Sequence, residues 1–210
     1  MARFDEAAVQ LLELDRLLPP KDARRESARR LRSRCQRLAL LDARLPALLE
    51  GTEKPASAAE RLDLRELCYV KKLYATAARF SRDAFVAEPK LTEDVAAGTR
   101  YAAACNAALA GCGQGKDAAD LDDAERARWR LQALEWLRLD LAWWGKALAG
   151  GKGQARAQVR AWMQHWRSDG DFAGVRGKDA LARIPAKERK EWERFWAEVD
   201  ALIRRASEPD

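Results

Sequence analysis

The sequence has little with which to build a sheet. Valine, isoleucine and threonine together supply 13 of 210 residues, too few β-branched side chains for a strand-based core. Histidine is nearly absent, with His165 alone, and the four cysteines (Cys35, Cys68, Cys105, Cys112) contain no Cys-x-x-Cys pair. That inventory argues against a zinc enzyme or a histidine-dependent triad, and the cysteines read as buried, reduced, small apolar residues. Long apolar runs are missing too. The longest charge-free stretch, Tyr101 to Gly115, is 15 residues broken by three glycines, short of the ~20 needed to cross a bilayer. Met1-Ala2-Arg3-Phe4-Asp5-Glu6 is charged where a secretory signal would turn apolar. The expectation from these absences is a soluble, cytoplasmic protein with no membrane association, no enzyme activity, no cofactor and no metal.

What is present points to helices. Ala, Glu, Lys, Leu and Arg account for 124 of the 210 residues, which predicts an all-α chain. With 48% apolar residues it can bury a core as one or two small domains. Pro19-Pro20 ends a first helix. Ser57-Ala58-Ala59-Glu60 and Asp122-Asp123-Ala124-Glu125 read as capping boxes. Gly150-Gly151-Lys152-Gly153 closes another helix, and Pro185 suits the first turn of the last. Trp192, Phe195, Trp196, Val199, Leu202, Ile203 and Ala206 form an apolar stripe at helical spacing, as do Val159, Trp162, Met163 and Trp166 before them. Seven of the eight tryptophans lie from Trp136 to Trp196, which predicts packing in a helical cap rather than a ligand box.

The net charge of +6 is concentrated. From Lys21 to Arg37 there are eight Lys and Arg against only Asp22 and Glu26. On a helix Ala28, Leu31, Cys35 and Leu38 share a face that the arginines flank. One reading is an anion-binding helix for nucleic acid or another polyanion, with Arg25, Arg29, Arg32 and Arg34 as its contacts. The preferred reading is a solvated helix whose charges offset acidic neighbours. No aromatics interleave the arginines, so stacking on single strands is unsupported.

A repeat is legible. Phe4, Ala7, Leu11, Leu14 and Pro19 recur 70 residues later as Tyr74, Ala77, Ser81, Ala84 and Pro89. An aromatic, a small residue at a helix crossing, further core positions and a terminating proline make up the second-helix signature of a tetratricopeptide repeat. In a third, degenerate copy Ala133 and Leu137 remain, Arg130 replaces the aromatic and Gly145 the proline, and Lys116 to Gln132 reads as an insertion. The stretch from Phe4 to Pro19 then reads as a second helix lacking its first, whose apolar flank invites a partner, with a homodimer as one form.

Several segments carry a wider resemblance: Tyr101-Ala102-Ala103-Ala104-Cys105-Asn106-Ala107-Ala108-Leu109-Ala110-Gly111, Gly113-Gln114-Gly115-Lys116-Asp117-Ala118-Ala119, and Ala133-Leu134-Glu135-Trp136-Leu137-Arg138-Leu139-Asp140-Leu141. With them go His165-Trp166, Asp171-Phe172-Ala173-Gly174-Val175-Arg176, and Trp196-Ala197-Glu198-Val199-Asp200-Ala201-Leu202. In that order they resemble the tetratricopeptide-repeat C-terminal region of large bacterial serine/threonine protein kinases. Relatives usually read Tyr-Asn-Ala-Ala-Cys where this chain has Ala102. The resemblance implies a partner-binding region that follows a catalytic domain. The kinase machinery is absent from the chain: it has no Gly-x-Gly-x-x-Gly, His-Arg-Asp or Asp-Phe-Gly. It therefore reads as a fragment of such a protein or a descendant of one.

Three tempting motifs fail. Gly111 to Lys116 resembles a phosphate loop, but Ala110 and Asp117 stand where glycine and Ser or Thr are required. Asp169-Gly170-Asp171 opens like a calcium loop, but Ala173 and Ala180 occupy later ligand positions. Asp117, Asp120, Asp122, Asp123 and Glu125 are explained by the helix start they precede.

The reading is a tetratricopeptide-like α-solenoid over residues 1–150, its first unit incomplete and an insertion near 116–132, followed by a Trp-rich helical cap over 151–210. Its expected function is a non-catalytic protein-interaction scaffold with a protein or peptide partner. On the concave face Leu62, Glu66, Tyr69 and Val70 of the second unit join Cys105, Asn106 and Leu109 of the third; Glu66, Tyr69 and Asn106 are the polar positions expected to fix a ligand's register. The alternatives are polyanion binding through 21–37 and a regulatory or substrate-docking tail of a kinase.

Overall fold

The computed structural model describes residues 4–151 and 153–208. Among them there are no strands, and the chain is all-α. Its helices are α1 (Phe4–Leu17), α2 (Arg24–Glu50), α3 (Ala58–Val70), α4 (Tyr74–Ala87), α5 (Thr99–Gly111), α6 (Asp123–Gly150), α7 (Gln154–Ser168), the single turn α8 (Lys178–Leu181) and α9 (Ala186–Ser207). A tight 3-10 turn, Gly170–Val175, follows α7.

The boundaries follow local chemistry. Asp122 accepts from the Glu125 N–H while the Glu125 carboxylate accepts from the Asp122 N–H, a complete capping box at the start of α6. At α3 the Ser57 hydroxyl caps the Glu60 N–H, but the Glu60 carboxylate reaches one residue further back, to the Ala56 N–H. α2 ends at Gly51, whose φ of 77° suits a residue without Cβ. Pro185 stands at the cap of α9, one position before the first turn. Residues 123–132, read from sequence as part of an insertion, are instead the opening turns of α6. Only Arg130 of this stretch is buried, so the apolar period that marks a packed helix is weak there.

Packing follows chain order. α1 pairs with α2, α3 with α4 and α5 with α6; α2 also touches α3, and α4 packs on α5. α7 and α9 pack on each other and on α6, while the 170–175 turn lies against α5. α1, read as a second helix without its first, is paired with the long α2.

One aliphatic cluster, with Leu38, Leu41, Leu45, Leu48, Leu64 and Leu67, joins α2 to α3. A much larger aromatic cluster joins α5, α6, α7 and α9 around Trp136, Trp144, Trp166, Phe172, Trp192, Phe195 and Trp196. Both C-terminal stripes read from sequence pack there, buried except for the partly buried Trp162 and Ile203. In α2 the predicted face is only half realised, with Ala28 and Leu38 buried but Leu31 exposed.

The repeat positions of α4 and α6 behave alike. Ala77, Ser81 and Ala84 have no exposed surface, and neither do Ala133 and Leu137, so small residues sit where helices approach closely. Arg130, in the aromatic's place, is also buried. Its guanidinium donates to both Glu188 carboxylate oxygens (2.7 and 3.0 Å) and to the Gly111 carbonyl (2.5 Å), fastening α9 and α5 to α6.

Candidate functional site

The Arg-rich helix spends its charge on neighbouring acids. Arg25 and Arg29 converge on Asp15 of α1 at 2.9 and 3.0 Å, Arg34 reaches Glu66 of α3 at 2.5 Å, and Arg37 reaches Asp63 at 3.4 Å. Arg24 pairs with Asp22 and Arg30 with Glu26. Hydrogen bonds from Arg25 and then Arg29 hold the Asp15 carboxyl below the usual carboxylate range. Of the four arginines proposed as anion contacts, three are therefore ion-paired. The fourth, Arg32, buries a guanidinium Nε–H that has no acceptor.

The three groove positions meet different fates. Glu66 is held by Arg34. Asn106 is in the core: its Nδ2 donates to the Ala102 carbonyl at 2.9 Å, and its Oδ1 has no partner. The structure thus moves Asn106 off the exposed face, because the alanine-rich α5 is buried on nearly all sides. Only Tyr69 faces outward, and it meets the chain itself: its hydroxyl donates to Asp171 Oδ2 at 3.1 Å. The turn that follows α7 covers part of the face expected to receive a partner, at Cys105 and the Tyr69 hydroxyl, while Tyr69 and Val70 keep exposed surface.

Around that contact lies the densest group of chemically active side chains among the described residues. Asp169 Oδ2 accepts from the Tyr101 hydroxyl at 2.6 Å, has the Cys105 thiol at 4.0 Å and has His165 Nε2 at 3.6 Å. Asp169 Oδ1 accepts from the Asp171 N–H at 2.9 Å, which sets the two carboxylates side by side. One donor atom from each of Cys105, Asp169 and Asp171 lies within 4.8 Å of the others, a set able to hold a metal ion.

Burial pushes the Cys105 thiol well up, aided by Asp169 and Asp171. Burial, then the neighbouring Asp169, raises Asp171. The Tyr101 ring contacts Trp162, His165, Trp166 and Phe172, walling the group on one side.

In the sequence Asp169 and Asp171 read as a failed calcium loop, and the lone His165 as an argument against a zinc enzyme. The spacing His165-x3-Asp169-x-Asp171 is the local signal that was available. Cys105 is 60 residues upstream, and no sequence rule brings it there.

The near-miss phosphate loop has a structural task. The Asp117 carboxylate accepts from the Ala75 and Thr76 N–H groups at 3.2 and 2.7 Å, capping α4, which has no side-chain cap of its own. The Lys116 N–H donates to the Lys72 carbonyl at 2.8 Å. Gly115, with φ of 96°, is pressed against Tyr74 and that carbonyl, where a Cβ would come within 2.7 and 2.8 Å.

The open concavities lie elsewhere, along α6. A cleft of about 530 Å³ is lined by Arg79, Arg82, Arg128, Trp129, Leu131 and Gln132 among others. A neighbouring one of about 450 Å³ shares Arg128 and Leu131 and reaches Trp192. Arg82 sits over the Trp129 ring at 5.7 Å. No helix among the described residues is long and apolar enough to cross a membrane. Compared with protein-family models, curated proteins and solved structures, the chain finds no match.

Proposed function

We propose that this chain is a tetratricopeptide-like α-solenoid, residues 1–150, closed by the Trp-rich cap of 151–210, and that it works as a non-catalytic protein-interaction module. The observation that supports it best is the packing in chain order of three successive helix pairs, with small buried residues at the repeat positions of α4 and α6, an arrangement found in quasi-one-dimensional repeat proteins. With the face near Tyr69 partly covered by residues 169–175, the docking surface is the pair of clefts along α6. There the exposed Leu131 and the Trp129 ring offer apolar contact framed by Arg79, Arg82 and Arg128, the composition of an interface hot spot with a polar rim.

A photocrosslinking side chain in place of Leu131, in cells that make the full protein, tests this. A discrete crosslinked protein at position 131, lost on Trp129→Ala and not formed from the exposed position 40 of α2, supports the reading. Equal labelling at both positions, or none at either, overturns it.

Docking of an upstream kinase's substrates is a second form of the same reading. It rests on the motifs shared with kinase C-terminal regions. Polyanion binding through 21–37 is disfavoured by the ion pairs that occupy Arg25, Arg29 and Arg34. Steep salt-dependent binding of a mixed-sequence oligonucleotide, abolished by changing Arg25, Arg29, Arg32 and Arg34 to Gln, would restore it.

A further inference from the structure

We infer that Cys105, Asp169 and Asp171 form a binding site for a divalent transition-metal ion of the zinc class.

The first argument is geometric. Tetrahedral zinc holds sulfur at ~2.3 Å and carboxylate oxygen at ~2.0–2.2 Å, so its ligand atoms stand roughly 3.3–3.7 Å apart. The three donor atoms already lie within 4.8 Å of one another. Closing on an ion takes movements on the order of 1 Å, within reach of side-chain rotation. His165 Nε2 lies 3.6 Å from Asp169 Oδ2 but outside the set of three that already converges, so the fourth position falls to water or to this ring after it rotates inward.

The second argument is charge. Two partly buried carboxylates sit side by side, yet no Lys or Arg among the described residues forms an ion pair with either; His165 is the one basic group within that distance. Arg176 feels the charge of Asp169 from beyond ion-pair distance, but commits its guanidinium to the Trp166 carbonyl at 2.9 Å and to the face of Trp196. Charges withdrawn from water are as a rule paired or bound to a cation.

The third is orientation. Ligating carboxylates are normally held by outer hydrogen bonds, and these are in place. The Tyr101 hydroxyl and the Asp171 N–H fix the two oxygens of Asp169, and the Tyr69 hydroxyl fixes Asp171. A thiolate in the set favours zinc-class ions over Mg²⁺ or Ca²⁺. Binding exchanges one bond for another: the Cys105 S–H bond breaks, its proton leaves to solvent, and the Sγ–metal bond forms with no change of oxidation state. The ion would join α5 to the turn behind α7, locking in place the segment that covers part of the face near Tyr69.

The test is a titration of the chelator-stripped full chain with Co²⁺ alone. One equivalent should give a sulfur-to-cobalt charge-transfer band and the intense visible bands of four-coordinate cobalt, both removed by Zn²⁺. The bands should persist in the Cys35→Ser, Cys68→Ala, Cys112→Ser combination. Asp171→Asn should weaken binding at least tenfold with unchanged helicity, and Cys105→Ser should lose the charge-transfer band. Absence of that band in the unmodified protein at one equivalent overturns the site whatever the variants do. So does a band that survives Cys105→Ser.

Discussion

The two ends of the molecule are held together by different means. α1 and α2 meet through a few leucines and alanines, with Arg25 and Arg29 closing over Asp15 at the edge. Repeat positions of α1 such as Leu14 remain exposed. The C-terminal helices enclose a continuous aromatic core in which Trp166, Trp192, Phe172 and Phe195 are almost wholly buried. Partly exposed ion pairs contribute little, whereas each buried large ring contributes several kcal/mol. The difference teaches that stability is graded along the chain: amide hydrogen exchange should be fastest in α1 and the first turns of α2 and slowest in α5, α6 and α9.

The strongest way to break the contrast is to remove a ring. Trp166→Ala, which deletes a side chain stacked on Tyr101 and Phe195, should cost about 3–5 kcal/mol in urea unfolding. Leu31→Ala on the exposed flank of α2 should stay within about 0.5 kcal/mol. Comparable costs would erase the distinction.

Next comes a buried charge. Asp140 is 1% exposed and is bound by Arg100 at 2.5 Å. Burial pushes its carboxyl up to about 6 against the pull of Arg100. Because the folded value exceeds the unfolded one, this group's contribution is fullest in acid and declines as pH rises through about 6. Arg100→Met should therefore cost about 3 kcal/mol at pH 8, where an unpaired carboxylate is left inside. The cost should shrink by pH 5, where that carboxyl can take a proton. Denaturant midpoints at the two pH values check this.

How much of this was legible follows the same gradient. The aromatic stripes of α7 and α9 were readable because a single buried face stamps a 3–4 residue period on the sequence. The caps at Ser57 and Asp122 were readable because capping is local. Asn106 was misplaced onto a groove because α5, buried on most sides, has no polar face from which to fix its phase. The grouping of Tyr69, Tyr101, Cys105 and Asp169 was out of reach, since it depends on α7 folding back across residues 64 to 102 positions apart in the hydrogen-bonded pairs.

A smaller effect should come at the joint between the regions. Gly115→Ala combines a left-handed backbone with a Cβ driven into Tyr74 and the Lys72 carbonyl, and about 2 kcal/mol should be lost. Smallest of all, Asp15→Asn should slightly lower the unfolding midpoint at pH 7. Its carboxyl is depressed in the fold by Arg25 and Arg29, so its contribution is present above the ordinary carboxylate value and fades as acid protonates it. A midpoint difference between Asp15→Asn and the unmodified chain that persists unchanged at pH 2 would contradict this assignment.

The Asp117 bond to the start of α4 also has a consequence for the order of assembly. On a ribosome, the chain emerges from its beginning, and α4 leaves the exit tunnel 41 residues before the carboxylate that caps its Thr76 amide. The second helix pair therefore waits, its first turn open to water, until the segment ahead of α6 has been made. Its last hydrogen bonds close only when the third pair begins to dock, so the middle of the protein is finished by its successor.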